Sequence, residues 1–459
     1  MAEVIIIGAG LTGLSAAYHL EQNNFFDYKI FEKNDRPGGL LQSIEVDGFT
    51  FDHTGHLLHI NDAYFKSFLD TIADLTNFNL IERKAAIYSH HTLTDYPFQM
   101  NLFGLPTDVI IECIEGYGNR KTTPKEPKTF VDWVLKYFGA GMGKHFFFPY
   151  NGKILAYDLT KVHPSWTGRF VPQTSMNAIL KGAFEKKPES GVGYNSSFYY
   201  PKSGGIEFII KKIASSLRNP IISKHATTAI DLNTKTVYFE NGHQEQFKTL
   251  ITTMPLDVLL KQTIEPSHLS VTQASKKLLC NAVLNFNLGF AQDALSDKHW
   301  IYYPEQQFPF YRMGFWHNLS PSSVKPGHSA IYGETSYLPK TTKELQVHDL
   351  LKQSINSALT HLKLNHEDIV IQHINHLKHA YVIYDQWREK NIDKLLATLQ
   401  EHAILSIGRF GEWKYSSMQD AIFDGKKAAD EILKNHQKAV AQTDIAMKKS
   451  SSGLKQNTL

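Results

Sequence analysis

A chain of 459 residues, 42% hydrophobic, 12% aromatic and 20% charged, has room for two or three domains with substantial cores. Its 48 basic and 45 acidic side chains leave a formal net charge of +3, which excludes the broad basic field of a nucleic-acid binder and an acidic tail, so any anionic ligand has to be met by local charges. Cys113 and Cys280 stand alone rather than as a CxxC pair, which argues against a disulfide framework or a thiolate metal site and fits a reducing compartment.

The opening "MAEVIIIGAG" runs directly into an apolar stretch too short to cross a membrane, with no secretory leader, so the expectation is a cytoplasmic chain without a membrane span. "EVIII" predicts a buried strand from its β-branched run, and "LSAAYHLEQ" predicts a helix from its apolar spacing. Between them Gly8, Gly10 and Gly13 form a GxGxxG. Gly8 permits the tight turn, Gly10 lets a pyrophosphate approach the backbone, and Gly13 lets the helix pack on its strand. The helix N-terminus then offers its N–H groups to the phosphates, with the Thr12 hydroxyl beside them. A second strand, "YKIFEK", ends in Glu32, about 20 residues on, where a carboxylate accepts the hydroxyls of an adenosine ribose. Strand, turn, helix and acidic residue in register predict a dinucleotide site.

The next stretch, "RPGGLLQS", places Gly38 and Gly39 soon after that carboxylate and suggests a second close approach of backbone to ligand. The order GxGxxG, Glu32, RPGGL and "DGFTFDHTGH" resembles the FAD domain of the amine oxidase and protoporphyrinogen oxidase group. That resemblance implies FAD as cofactor, with Arg36, Gly38, Gly39, Leu40, Thr54, Gly55 and His56 among its contacts. It also implies two interleaved domains. A later strand–turn–strand segment around residues 219–255 and a strand, glycine turn and amphipathic helix in "HAILSIGRFGEWKYSSMQDAIFDGKKAADEIL" read as the returning pieces, with Arg409 and the backbone of Met418 and Gln419 near the flavin. The expected fold is α/β, a Rossmann-like FAD-binding domain (1–74, 201–264, 396–436) interleaved with an α+β substrate domain (75–200, 265–395) and followed by a polar, disordered tail (437–459).

The second domain gathers polar groups among aromatics in "DYPFQMN", "FFFPYNGKILA", "WTGRF", "GVGYNSSF", "WIYYPE" and "FPFYR". Asn151, Arg169, Asn195 and Arg312 would be costly in an apolar interior without partners. Either the arginines pair with carboxylates, for which Asp158 and Glu305 are the nearest in these stretches, or they meet an anion from outside. His53, His56 and His59 recur every third residue, but no ligand shell completes them and no metal is expected. The pair His90 and His91 reads as a solvated turn, and Trp166, Trp316 and Trp413 read as core aromatics.

Seven stretches in order, TGH, "YPFQMN", "PYNGKILA", "GRFVP", "YNSSFYYPKSGG", "YYPEQQFPFYR" and "GRFGEWKY", resemble the eukaryotic-type UDP-galactopyranose mutases over residues 3 to 435. The resemblance implies that Arg169 and Arg312 clamp the diphosphate of a UDP-sugar with help from Tyr302, Tyr381 and Tyr415. It further implies that Tyr96, Phe98 and Gln99 hold the uracil, that Asn151 and Asn195 lie near nucleotide and sugar, and that His56 lies beside the flavin. The implied reaction interconverts UDP-galactopyranose and UDP-galactofuranose through a sugar adduct at N5 of reduced FAD, with NADPH as reductant and His56, Arg169 and Arg312 as the catalytic set. The sequence departs from the family at Leu155, where a tryptophan is usual, at Thr54 in place of a glycine, and in "YSSMQDA" after Tyr415. The rival enzyme is an FAD-dependent oxidoreductase of the protoporphyrinogen oxidase or amine oxidase type, which needs no diphosphate clamp; a noncatalytic FAD-binding protein is a third reading. Oligomeric state is not legible in the sequence.

Overall fold

A computed structural model describes residues 2–120, 126–167, 171–186, 196–265, 271–293 and 295–453. The chain divides into two units, Met1–Gly39 with Ile210–Thr272 and Leu395–Leu459, and Leu40–Ile209 with Gln273–Lys394.

The first unit is built on an eight-stranded sheet. Ala2–Ile7 pairs in parallel with Tyr28–Phe31 on one side and with Gln244–Thr252 on the other. Its Val4, Ile5 and Ile6 are wholly buried, as a continuous apolar run demands of a strand covered on both faces. The last half of Gln244–Thr252 also pairs in parallel with Ile404–Ser406, while its first half pairs antiparallel with Thr236–Phe239. The helix Leu11–Gln22 lies against the helix Met418–Gly453, where the Ser15 hydroxyl donates to the Ile422 carbonyl at 2.7 Å.

The second unit is organised by a seven-stranded sheet in the spatial order Ile369–Leu377, Ala282–Phe290, Ser329–Tyr337, Arg312–Phe315, Trp300–Tyr302, Ala85–Ser89, Thr92–Asp95. Every pairing is antiparallel except that of Trp300–Tyr302 with Ala85–Ser89. Side chains alternate between its faces. Phe286, Leu288, Met313 and Phe315 share a core with Ile355 and Leu359 of the helix Glu344–Leu362. On the opposite face Ile87 and Val283 join a helical layer from Thr107–Gly118, Phe130–Tyr137, Phe148–Leu155 and Met176–Phe184. His90 and His91, both at positive φ (52° and 58°), form the two-residue turn between Ala85–Ser89 and Thr92–Asp95.

A Rossmann-like α/β unit is thus interleaved with an α+β unit, but the segment ends differ from those expected. The first segment of the first unit stops at Gly39 rather than 74. The hairpin Ser43–Val46 and Phe49–Asp52 buries Phe49 and Phe51 with Trp300, Trp316 and Tyr332 of the second unit, so packing assigns it there. The final helix continues to Gly453, through most of the stretch expected as a disordered tail. After Gly425 that stretch holds no glycine or proline before Gly453 and is rich in Ala, Lys and Gln, so nothing local stops the helix.

Candidate functional site

In the first unit the glycine turn leads from the strand Ala2–Ile7 into the helix Leu11–Gln22, with Gly8 at φ +97°. A Cβ on Gly13 would fall 2.0 Å from the Gly8 carbonyl oxygen, so only glycine lets this helix start so close to its turn. Gly10 occupies the N-cap with no side-chain hydrogen bond and no acidic residue follows in the first turn, which leaves the N–H groups of the helix start to a ligand. Gly38 bridges to Gly10, and Gly39 lies with its Cα 3.9 Å from where a Gly10 Cβ would be, so bare backbone lines both sides of this approach. Glu32 is buried, and its two oxygens accept from the N–H groups of Ala9 and Asn34, each at 2.9 Å. The carboxylate is thereby fixed beside the turn with lone pairs left for ribose hydroxyls.

The third segment of this unit returns to the same turn. Gly408 packs on the buried Thr12, whose hydroxyl would lie 2.7 Å from an added Cβ. Arg409 stacks over the Tyr415 ring at 4.6 Å and donates from Nη1 to the Ser416 carbonyl at 3.2 Å. Met418 and Gln419 open the helix that follows. Arg36 is half-buried. A glycine-walled turn, an uncapped helix start and a fixed carboxylate fit the pyrophosphate and ribose of FAD.

In the second unit the strand register builds a polar row across the sheet. Asn375 lies opposite Asn285, Asn285 opposite Glu334, Glu334 opposite Arg312, and Arg312 opposite Tyr302. Arg312 donates from Nε to Glu334 Oε2 at 3.1 Å and from Nη2 to Oε1 and Oε2 at 2.6 and 2.8 Å. The Glu334 side chain is fully buried and that of Arg312 is 18% exposed. Burial disfavours the guanidinium charge, yet the Glu334 carboxylate beside it holds its pKa well above the usual arginine value. Nη1 makes no hydrogen bond among the described residues.

Phenols surround this arginine. Tyr302 packs on Tyr96 and Tyr150 with ring centres 5.4 and 5.3 Å apart, Tyr311 lies 6.4 Å from both Tyr150 and Tyr381, and the Tyr332 ring centre is 5.9 Å from the Arg312 guanidinium carbon. Burial raises the pKa values of Tyr150, Tyr311 and Tyr332, so each stays a neutral donor. Thr54 and Gly55 approach the same row from the hairpin end. Thr54 N–H donates to Asn285 Oδ1 at 3.4 Å and Gly55 N–H to Glu334 Oε1 at 3.3 Å, while the Thr54 hydroxyl lies 3.4 Å from His56 Nδ1. The hairpin itself is tied down by Asp52, which accepts from the hydroxyls of Ser43 (2.6 Å) and Tyr200 (2.7 Å) and from Ile206 N–H (3.1 Å). Burial pushes the Asp52 carboxyl up to about 6 against the pull of those hydrogen bonds.

Several expectations need correction. The partner of Arg312 is neither Asp158, which accepts from Thr160, nor Glu305, which accepts from His90 N–H; it is Glu334. Phe98 is wholly buried with its ring stacked on Phe146 at 5.1 Å, so it belongs to the helical core and is not a face for a base. Asn151 donates to the Phe147 carbonyl at 2.8 Å and accepts from the Trp166 indole at 3.2 Å. Gln99 is 2% exposed and donates its amide to the Pro172 carbonyl at 2.7 Å. Leu155 is fully buried, and Leu40 sits in the 3-10 turn Gly39–Leu41. Arg169 and Asn195 lie outside the described residues. Among the residues the sequence reading missed, Glu334 carried a signal, an acidic side chain in the middle of the strand-like "SAIYGETSY"; Tyr150 stood inside a quoted motif but was given no role.

Lys153 of the "PYNGKILA" stretch donates to the carbonyls of Tyr303 (2.5 Å) and Glu305 (2.9 Å), pinning the loop between Tyr302 and Arg312; burial lowers its pKa to about 7. Among the described residues no group of histidines, cysteines and carboxylates is arranged to hold a metal, and no helix is long and apolar enough to cross a membrane.

The model of the family described as flavin containing amine oxidoreductase matches residues 11–433. A solved structure of reduced UDP-galactopyranose mutase superposes with a TM-score of 0.88 at 26% identity, covering 94% of each chain. A CLA-producing fatty acid isomerase from P. acnes shares the fold at a TM-score of 0.66 and 12% identity, over 94% of this chain and 98% of that one. Curated relatives match locally: a 1-hydroxycarotenoid 3,4-desaturase of Flavobacterium sp. (strain P99-3) at 38% over 91 residues, 19% of this chain and 18% of that protein, and a coproporphyrinogen III oxidase of Staphylococcus aureus (strain NCTC 8325 / PS 47) at 52% over 50 residues, 11% of each. These matches span less than a quarter of the relatives' lengths. Uncapped glycine turn, buried Glu32 carboxylate and a family match over residues 11–433 agree: the chain belongs to the flavin-containing amine oxidoreductase family, and within it is similar to UDP-galactopyranose mutase.

Proposed function

We propose that the protein is a flavin-dependent UDP-sugar mutase that interconverts UDP-galactopyranose and UDP-galactofuranose. The observation that carries this reading is Arg312, oriented by Glu334 on one edge, partly exposed on the other, and ringed by tyrosines. The likeness to reduced UDP-galactopyranose mutase over 94% of both chains supports it. Bound FAD in its reduced form supplies an electron-rich nucleophile for the anomeric carbon, so an isomerisation without net oxidation divides into easier steps.

The chain's own residues hold the leaving group. Arg312 offers Nη1 to a diphosphate oxygen, and the phenols of Tyr302 and Tyr381 stand beside it as further donors. A charge-assisted contact of this kind contributes about 1.5–3 kcal/mol. Because Glu334 neutralises part of the Arg312 charge, the diphosphate calls for a second cation; by resemblance that is Arg169, with Asn195 contributing at the sugar. Tyr96 lines the uracil side in this reading, and Gln99 holds the wall behind it through Pro172. In the first unit Gly8, Gly10, Gly13, Glu32, Gly38 and Gly39 orient the cofactor, with Arg409 from the third segment. NADPH as the reductant and a cytoplasmic setting, consistent with two free cysteines, complete the reading.

The rival is an FAD-dependent oxidoreductase acting on a substrate without a diphosphate. It is favoured by the Arg312–Glu334 pair itself, since a guanidinium already neutralised by a buried carboxylate calls for no anion. Dithionite-reduced protein incubated anaerobically with UDP-galactofuranose should form UDP-galactopyranose; turnover confined to the oxidised protein on an unrelated substrate would establish the rival instead. Arg312→Ala should weaken UDP binding by about tenfold to a hundredfold in calorimetry, and unchanged affinity would remove the clamp.

A further inference from the structure

Glu334 serves two masters. Its Oε1 accepts from Arg312 Nη2 at 2.6 Å and from Gly55 N–H at 3.3 Å, and its Oε2 accepts from Arg312 Nε and Nη2. Tyr332, on the same strand and face, touches the same two parties: its hydroxyl would lie 2.3 Å from a Cβ on Gly55, and its ring faces the Arg312 guanidinium. Asn285, opposite Glu334 in register, takes the Thr54 N–H. The arginine and the Thr54–Gly55–His56 loop are therefore joined through one buried carboxylate and one buried phenol.

We propose that Glu334 is a positioning residue that couples diphosphate occupancy at Arg312 to the ordering of the Thr54–Gly55–His56 loop. This rests on the reading that the anion at Arg312 is the diphosphate of a UDP-sugar. An anion on the outer edge of the guanidinium draws on the positive charge that compensates Glu334. A fully buried carboxylate that loses compensation must strengthen its remaining hydrogen bonds. The donors that remain are the Tyr311 hydroxyl and Gly55 N–H, so the bond from Gly55 at 3.3 Å shortens and the loop is held more firmly. Linkage makes the effect mutual, and a firmly held loop favours diphosphate binding by the same factor.

Amide hydrogen exchange of the flavin-loaded full chain, with and without UDP, reads this coupling. Saturating UDP should slow exchange at Gly55 about threefold or more in the wild type. Glu334→Gln keeps an acceptor but drops the charge, so Gly55 should exchange faster without ligand and no longer respond to UDP, although calorimetry still detects UDP binding. Glu334→Asp keeps the charge for Arg312 but withdraws the oxygens from Gly55 by one methylene, and should likewise lose the response; it stands in if the glutamine variant does not fold. A Gly55 amide that answers UDP in these variants as it does in the wild type overturns the proposal. Failure of UDP to bind the wild type would instead overturn the functional reading, whereas bound UDP with no change at Gly55 sinks the coupling alone.

Discussion

In the first unit the groups that face the candidate cofactor site are mostly backbone, supplied by residues 8–13 and 36–39, with the Glu32 carboxylate fixed beside them. In the second unit the groups around Arg312 are side chains from strands and helices far apart in sequence, and each depends on another for its charge or orientation. Backbone sites need shape, so they tolerate little added volume, and the buried Glu32 carboxylate in this one is held by two backbone N–H groups. The side-chain site carries a buried ion pair and a buried carboxylate, whose cost is offset only by complete hydrogen bonding.

The largest expected effect strikes the first unit. Gly13→Val would drive a side chain into the Gly8 carbonyl, 2.0 Å from the new Cβ, so the purified variant should retain no flavin by absorbance. A variant that keeps its flavin would show that the turn is not the shape-limited site described above.

An intermediate effect tests the buried charges of the second unit. Asp52 titrates at about 6 in the fold against an ordinary 3.8, chiefly through burial. The fold therefore favours its protonated form. That contribution to stability is fully present below the unfolded value near 4 and is lost as pH rises through about 6. Asp52→Asn should flatten this dependence, removing up to about 3 kcal/mol of change between pH 4 and 6 in urea unfolding; identical slopes in wild type and variant would locate the titration elsewhere.

The smallest effect refines the contrast at Thr54, a β-branched residue at φ 70°, in the left-handed region that favours glycine. Thr54→Gly relieves that conformation at the expense of a more flexible unfolded chain and the weak contact to His56, and should raise stability by about 1 kcal/mol or less. A loss of stability would mean that the side chain secures the loop.

Legibility of the two sites follows the same division. The strand, turn and helix at 2–22 and the carboxylate at 32 were all readable, because each is specified by residues within one supersecondary unit. In the second unit the aromatic stretches were recognisable as site material, and Tyr96, Tyr302, Arg312 and Tyr381 do come together. Which of their neighbours face the site was not readable. Phe98 is adjacent to Gln99 in a quoted motif but packs on Phe146, and Asn151 is consumed by Phe147 and Trp166.

By itself the sequence determined the glycine turn and the carboxylate at Glu32, since glycine placement, β-branched runs and apolar periodicity act over a few residues, while the interleaving of two units followed from the family resemblance. Only the tertiary structure decided that Arg312 meets Glu334, that the hairpin before His56 belongs with the second unit, and that the final helix continues past residue 436. Antiparallel register sets residues 22 apart directly opposite one another, and no local pattern records which carboxylate a strand will bring to a buried guanidinium.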